Sequence, residues 1–323
     1  MATVDVLARI TPAMRAVLTK QNELAGDVFA TDVSPAQMRA SYAQERTFWN
    51  EGGPVMAATL DAVVPGPAGD VAIRVHRPTD ATGLPCIVYV HGGGFVVGDL
   101  DTHDRIQRTL AAQTGAVVVG VDYSLSPEAR FPVAVHECAA VAVHLHENAH
   151  DLGIDGEHLS FAGDSGGANL ALAATLYLRD EVAGAPDIKT LLLYYGMFGL
   201  RDSAARRLYG GTWDGLTPQD LANYMTWYTT SALDLDSPYL DCLSADLTHA
   251  LPPSYIAASA LDPLLDDSLA LAAIADDAGV PHRLRVFDGV LHGFLHHSRM
   301  LPEAVDALED GAAFYREHHS TTQ

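Results

Sequence analysis

A chain of 323 residues with 48% hydrophobic and 19% charged residues can bury a large core, as one domain with a lid or as two small domains. Its net charge of -22, from 41 acidic against 19 basic residues, creates a field that repels nucleic acid and anionic membrane surfaces. No apolar run approaches the ~20 residues of a membrane span, no secretory signal opens the chain, and Cys86, Cys138 and Cys242 form no C-x-x-C pair. A cytoplasmic protein with buried, unpaired thiols and no stable membrane insertion is therefore expected.

Two helical stretches come first. Residues 3–26 place Val6, Ile10, Met14, Val17, Leu18 and Leu24 at helical spacing, with Pro12 as a break near the start. Ser34 and Pro35 open a second helix as N-cap and first-turn residue, Met38, Tyr42 and Trp49 follow on one face, and Gly52-Gly53 ends it. Strand character begins at 56–64 and 71–75, separated by Gly-Pro turn residues, as an antiparallel edge. The pattern then changes to solid apolar runs at 87–90, 116–121, 159–162, 191–194, 255–258 and 284–287. Runs apolar on both faces belong to strands covered by helices on both sides.

Helical stretches at 102–113, 133–148, 166–182, 268–277 and 302–318 alternate with those runs. This rhythm predicts an α/β fold with a mostly parallel central sheet of about eight strands and helices on both faces. Residues 198–245 break the rhythm, with helical character around 218–231 and no convincing strand. The expected organisation is N-terminal cap helices at 1–52, a core at 53–197, a cap insert at 198–245 and the rest of the core at 246–323. The tail from 317 to 323 is expected to fray.

The chemistry centres on Gly163-Asp164-Ser165-Gly166-Gly167, between a predicted strand and a predicted helix. A strand entering a helix through Gly-x-Ser-x-Gly turns within about one residue, which exposes the serine at a helix N-terminus. A serine hydroxyl is a poor nucleophile at neutral pH and needs a base oriented by a carboxylate. Asp262, directly after strand 255–258, and His292, after the strand ending at Phe287, are the candidates. Asp266 and Asp267 are alternatives to Asp262 should the loop bend differently. The chain order Ser165, Asp262, His292 is that of the α/β-hydrolase arrangement.

His91-Gly92-Gly93-Gly94, at the end of strand 87–90, offers backbone N–H groups unobstructed by side chains. With the N–H of Gly166 it can serve as an oxyanion hole, and which glycines donate is left open. Asp99, Asp164 and Glu128 read as structural carboxylates that bond loop amides or arginines. Fifteen histidines invite a metal reading, nearest at His292, His296 and His297, but without an H-E-x-x-H pattern no metal site is expected. Trp49, Tyr224, Trp227 and Tyr228 either pack the lid or line an acyl pocket, with packing the better expectation for each.

These motifs resemble, in order and spacing, those of the hormone-sensitive lipase family of α/β-hydrolase esterases. The matching residues are His91-Gly-Gly-Gly-Phe95 with Gly98-Asp-Leu-Asp-Thr-His-Asp104, Asp122-Tyr-Ser-Leu-Ser-Pro-Glu128 with Phe131-Pro132, Gly163-Asp-Ser165, Asp262-Pro-Leu264 and His292-Gly-Phe294. The resemblance implies a cofactor-free serine carboxylesterase for short to medium acyl esters, with His91 and Asp164 supporting the motifs. It also implies a cap over the site and often a homodimer, although no self-complementary surface is legible. Three departures stand out. Gly166-Gly167-Ala168 replaces the usual alanine and two glycines, Ser124 stands where arginine is usual, and Tyr195-Gly196 where proline is common. Amide or lactone hydrolysis by the same triad is a second reading. A third is a binding protein that kept the fold and lost catalysis, against which the presence of His292 weighs.

Overall fold

The computed structural model of the chain describes residues 4–25 and 29–319. Eight strands form one sheet: β1 (Ala58–Gly66), β2 (Gly69–Arg77), β3 (Leu84–Val90), β4 (Val117–Asp122), β5 (Ile154–Asp164), β6 (Ile188–Tyr194), β7 (Ser254–Ser259) and β8 (His282–Phe287). Their spatial order is β1-β2-β4-β3-β5-β6-β7-β8. β1 and β2 form an antiparallel hairpin, β2 pairs antiparallel with β4, and the remaining neighbours are parallel.

Apolar runs without alternation arise because both faces of the central strands are covered. Cys86, Val88 and Val90 of β3 join one buried cluster with α4 (Val133–Glu147) and α6 (Gly166–Glu181). Ile87 and Tyr89 of the same strand join another, with α3 (Asp104–Thr114) and α10 (Pro302–His319). Each fully buried Val or Leu contributes roughly 1.5–3 kcal/mol, which holds the strand ends in fixed positions for the chemistry described below. β8 departs from the expectation of a doubly covered strand. It lies at the sheet edge, with Val286 38% exposed and, within the strand, only Phe287 fully buried.

Pro12 does not break the first helix; it starts it. Thr11 caps α1 (Pro12–Leu24) by accepting from the N–H of Met14, and Pro12 takes the first-turn position where its missing N–H costs nothing. Residues 6–10 form turns and bends instead of helix, and residues 3 and 26 lie outside the described residues. Ser34 and Gln37 make a reciprocal capping box at α2 (Pro35–Asn50). Thr217 and Asp220 do the same at α8 (Pro218–Tyr228), so three helices begin with Ser or Thr followed by Pro. A short helix, α7 (Ala204–Leu208), precedes α8, no strand occurs among the described residues between β6 and β7, α5 (Ala149–Leu152) leads into β5, and α9 (Leu265–Asp277) joins β7 to β8. α10 continues to His319, so 317–319 are helical, while 320–323 lie outside the described residues.

The N-terminal helices and the segment around α8 meet over the loop after β3. Met38 and Tyr42 of α2 pack with Val96, Val97, Leu216, Tyr224 and Leu264 in a separate apolar cluster. Arg39 pins α2 to the same loop region, donating to the carbonyls of Val96 and Ser126, each at 2.8 Å, and pairing with Glu128.

Candidate active site

Ser165 sits between the last residue of β5 and the first of α6 with φ 54 and ψ -122. Such a backbone costs a non-glycine residue of order 1–3 kcal/mol and persists only where the surroundings enforce it. Bare glycines make the enforcement possible. A Cβ on Gly163 would stand 2.4 Å from the Gly167 carbonyl oxygen, and one on Gly167 would stand 2.2 Å from that of Val90. Gly166 is different: its Cβ would meet Phe95 at 3.3 Å, so the usual alanine would need that ring to give only slightly.

His292 Nε2 lies 2.8 Å from Ser165 Oγ, and its Nδ1 lies 2.7 Å from Asp262 Oδ2. Asp262 is fully buried and its second oxygen accepts from the Leu264 N–H at 2.8 Å. A carboxylate only accepts, so Nδ1 carries the proton and Nε2 is left free to accept from the Ser165 hydroxyl. Burial works against a charged His292 ring, yet Asp262 and, further off, Asp214 and Asp164 outweigh it and raise its pKa above the usual imidazole value. The Tyr195 ring packs edge-on against the His292 ring with centroids 4.9 Å apart.

The alternatives to Asp262 are occupied elsewhere. Asp266 accepts from the Ala205 N–H at 2.8 Å, while Asp267 accepts from the N–H groups of Phe198, Gly199 and Leu200 and pairs with Arg206. Asp99 accepts from the Thr102 N–H at 2.8 Å, as a loop carboxylate should. Ser124, in place of the usual arginine, donates its N–H and hydroxyl to the two oxygens of Glu137, each at 2.7 Å.

One of the expected oxyanion donors requires correction. The Gly92 N–H donates to Asp164 Oδ1 at 3.0 Å, because that buried carboxylate needs donors, and it is not free to meet a substrate. Gly93, Gly94 and Gly166 remain. The Gly94 nitrogen lies 3.5 Å from where a Cβ on Gly166 would be, so the two backbones adjoin beside Ser165. Gly93 has φ +120, and a Cβ there would come within 2.1 Å of the Val97 carbonyl oxygen. His91 supports the run: its Nδ1–H donates to the Gly92 carbonyl at 2.8 Å, its ring stacks on Tyr123, and burial lowers its pKa to about 4, so it is neutral.

Asp164 also accepts from the Tyr89 hydroxyl at 2.7 Å and lies 3.4 Å from His103 Nε2. Burial opposes its charge, but His103, Tyr89 and the Gly92 N–H prevail and hold its pKa below the usual carboxylate value. Among the described residues, His103, Asp164 and His296 are the ones that could hold a cation, with ligand atoms all within 4.8 Å of one another. Asp164 Oδ1 is already met by two donors, the Tyr89 hydroxyl and the Gly92 N–H, whereas His103 Nε2 has no hydrogen-bond partner and His296 Nε2 stands 3.8 Å from Oδ2. His292, His296 and His297 do not form the cluster their spacing invited: His292 faces Ser165, and the His297 ring packs against Trp49.

Ser165 and His292 open on a cavity of about 70 Å³. Its walls include Gly93 and Gly94 from the core, Met14 and Leu18 from α1, and Leu216 and Tyr224 from the segment around α8. Of the four aromatics considered from sequence, Tyr224 lines this cavity, Trp49 and Tyr228 are packed in the interior, and Trp227 packs against the cluster over the loop. A larger cavity of about 680 Å³ lies along Leu221 and Met225 of α8 and contains none of Ser165, His292 and Asp262.

Asp214 is a wall residue that sequence did not single out. It is 6% exposed, and its Oδ1 accepts from the N–H groups of Gly211 at 3.0 Å and Leu216 at 3.2 Å. Oδ2 is buried without a hydrogen-bond partner. Burial pushes its pKa up to about 7, against the pull of the Gly211 N–H and His292.

Comparison with known proteins agrees with this geometry. A family described by the alpha/beta hydrolase fold matches residues 87–296. An acetyl esterase of Salmonella paratyphi B is 44% identical over 312 residues, covering 97% of this chain and 96% of the relative. A hyperthermophilic esterase from Pyrobaculum calidifontis superposes with a TM-score of 0.89 at 33% identity, covering 96% of this chain and 98% of that one. An ester hydrolase from the Lake Arreo metagenome, solved with a bipyridine phosphonate derivative, superposes with a TM-score of 0.88 at 28% identity, covering 97% and 100%.

Proposed function

The chain belongs to the α/β-hydrolase-fold family of esterases, and from that premise we propose that Ser165, His292 and Asp262 hydrolyse small carboxylic esters through an acyl-enzyme. The protein is a carboxylic ester hydrolase. What carries the assignment of the residues is the unbroken hydrogen-bonded line from hydroxyl to imidazole to carboxylate, at 2.8 and 2.7 Å. Ser165 Oγ attacks the ester carbonyl carbon as His292 Nε2 takes the hydroxyl proton. The N–H groups of Gly94 and Gly166, with Gly93 beside them, meet the negative charge that develops on the carbonyl oxygen. His292 returns the proton to the leaving alkoxide, and the alcohol departs. Water then repeats the sequence on the acyl-serine and releases the acid. Asp262 holds the ring tautomer and stabilises the imidazolium without itself taking the proton.

The N-terminal helices α1 and α2 and the segment 198–245 act together as a cap that restricts the acyl group. Support comes from the cavity they close. At about 70 Å³ it is small against the roughly 300–1,000 Å³ of pockets that take drug-sized ligands, which favours a small acyl group. That agrees with the name of the Salmonella relative. A series of aryl esters from acetyl to octanoyl tests this directly. The kcat/KM should be highest at acetyl or propionyl and fall by at least about tenfold by octanoyl, since each methylene that fails to fit costs about 1–3 kcal/mol. A rate that climbs with chain length would overturn the small-acyl reading.

No helix among the described residues is long and apolar enough to cross a membrane. Cys86, Cys138 and Cys242 are buried and unpaired, which supports placing the protein in the reducing cytoplasm. The line from Ser165 to Asp262 favours catalysis over the binding-only alternative, because a protein that merely binds has no need of an oriented base.

A further inference from the structure

The acyl-transfer cycle gives Asp214 no task, yet Asp214 lines the same cavity as Ser165 and His292. Its Oδ1 ties down the turn from Gly211 to Leu216 through two backbone N–H groups. That structural duty needs only one oxygen. An asparagine would perform it equally well and would avoid burying a carboxylate, which is costly unless the group is paired.

Oδ2 has no such duty and no partner inside the protein. The ionisable groups that bear on Asp214 most strongly are His292, committed to Ser165 and Asp262, and the Asp262 carboxylate. Arg46 lines the cavity too, but it is paired with Glu45 at 2.7 Å and lies over the Tyr42 ring. A buried acceptor in the wall of the cavity that Ser165 and His292 also line, held in place through its other oxygen and left without a partner, is a site for a donor that the substrate brings against that wall.

We infer that Asp214 is a specificity residue whose free Oδ2 accepts a hydrogen bond from a donor, a hydroxyl or a protonated amine, carried by the alcohol part of the ester. The inference rests on the ester-hydrolase reading and on its small acyl group: an acetyl carries no donor, so the donor belongs to the leaving alcohol. Burial already pushes Asp214 up to about 7, and a bound donor would draw it back toward the ionised form that accepts best.

Three acetates separate the possibilities: propyl acetate, 2-hydroxyethyl acetate, which matches it in size, and the somewhat larger 2-(dimethylamino)ethyl acetate, which is protonated near neutral pH. In Asp214→Asn the side-chain oxygen keeps the two loop bonds and the amide nitrogen replaces the open acceptor. Relative to propyl acetate, kcat/KM for at least one donor-bearing ester should fall by about 10- to 100-fold in the variant, and which one falls identifies the donor. Both ratios staying within about threefold of the unsubstituted enzyme would overturn the inference. Should Asp214→Asn fail to fold, the unsubstituted enzyme carries the test. It should prefer a donor-bearing ester to propyl acetate by about tenfold, and equal rates on all three would contradict the role. Turnover of propyl acetate by that enzyme reports the ester-hydrolase reading separately: its absence sinks that reading, whereas normal turnover with unchanged ratios sinks only the role of Asp214.

Discussion

Ser165→Ala should lower turnover of an aryl acetate by about 10⁵- to 10⁶-fold, because the variant has no atom to form the acyl-enzyme while the remaining donors and base are left in place. The proposed oxyanion donors are backbone N–H groups of Gly93, Gly94 and Gly166, which the substitution does not touch. Stability should barely change. The elbow is enforced by the close approach of Gly163 and Gly167 to neighbouring carbonyls, and alanine at φ 54 bears the same strain as serine. Steady-state kinetics with a thermal unfolding curve checks both parts. A loss of only a few-fold would mean that another residue performs the attack.

Asp262→Asn should lower kcat by about 10⁴-fold, through the tautomer and not through the fold. Asp262 Oδ2 now accepts from His292 Nδ1 while Oδ1 accepts from the Leu264 N–H. An asparagine that keeps the Leu264 bond presents its NH₂ to Nδ1, which forces the ring proton to Nε2 and leaves nothing to accept from Ser165. The pH dependence should shift with it. His292 acts only when neutral, so activity is present above its pKa and lost as pH falls through it. Since Asp262 helps raise that pKa, the acid limb of the wild-type profile lies above the usual imidazole value, and it should move to lower pH in the variant. Asp214, at about 7, titrates in the same window. The displacement on removing Asp262, rather than the wild-type limb alone, therefore assigns the group. A limb that stays put in Asp262→Asn would separate His292 from Asp262 in function.

The sheet was legible because its chemistry is local and repetitive. β3 to β7 are covered on both faces, so solid apolar runs mark them without tertiary knowledge. The run at 284–287 marks β8 but not its exposure, since an edge strand is distinguished by what does not pack on it. Pro12 looks like a break only when Thr11 is left out of account, for Thr11-Pro12 is the same starting signal as Ser34-Pro35.

The residues of the site divide along the same line. Ser165, Asp262 and His292 each follow a strand end within a short motif, so backbone rules bring them into view. That Asp164 takes the Gly92 N–H depends on a contact across 72 positions, which no motif encodes. Asp214 was invisible for a stronger reason. It lies in a segment without sheet pairing, and its importance comes from an absent partner, which only coordinates can reveal.

The most direct test of the nucleophile is a covalent one: treat the protein with a fluorophosphonate, digest it, and map the adduct by mass. The expected result is a single adduct on the peptide containing Ser165, abolished in Ser165→Ala and formed in step with loss of esterase activity. An adduct on any other residue that tracks the loss of activity, or labelling that persists in Ser165→Ala, would contradict the assignment.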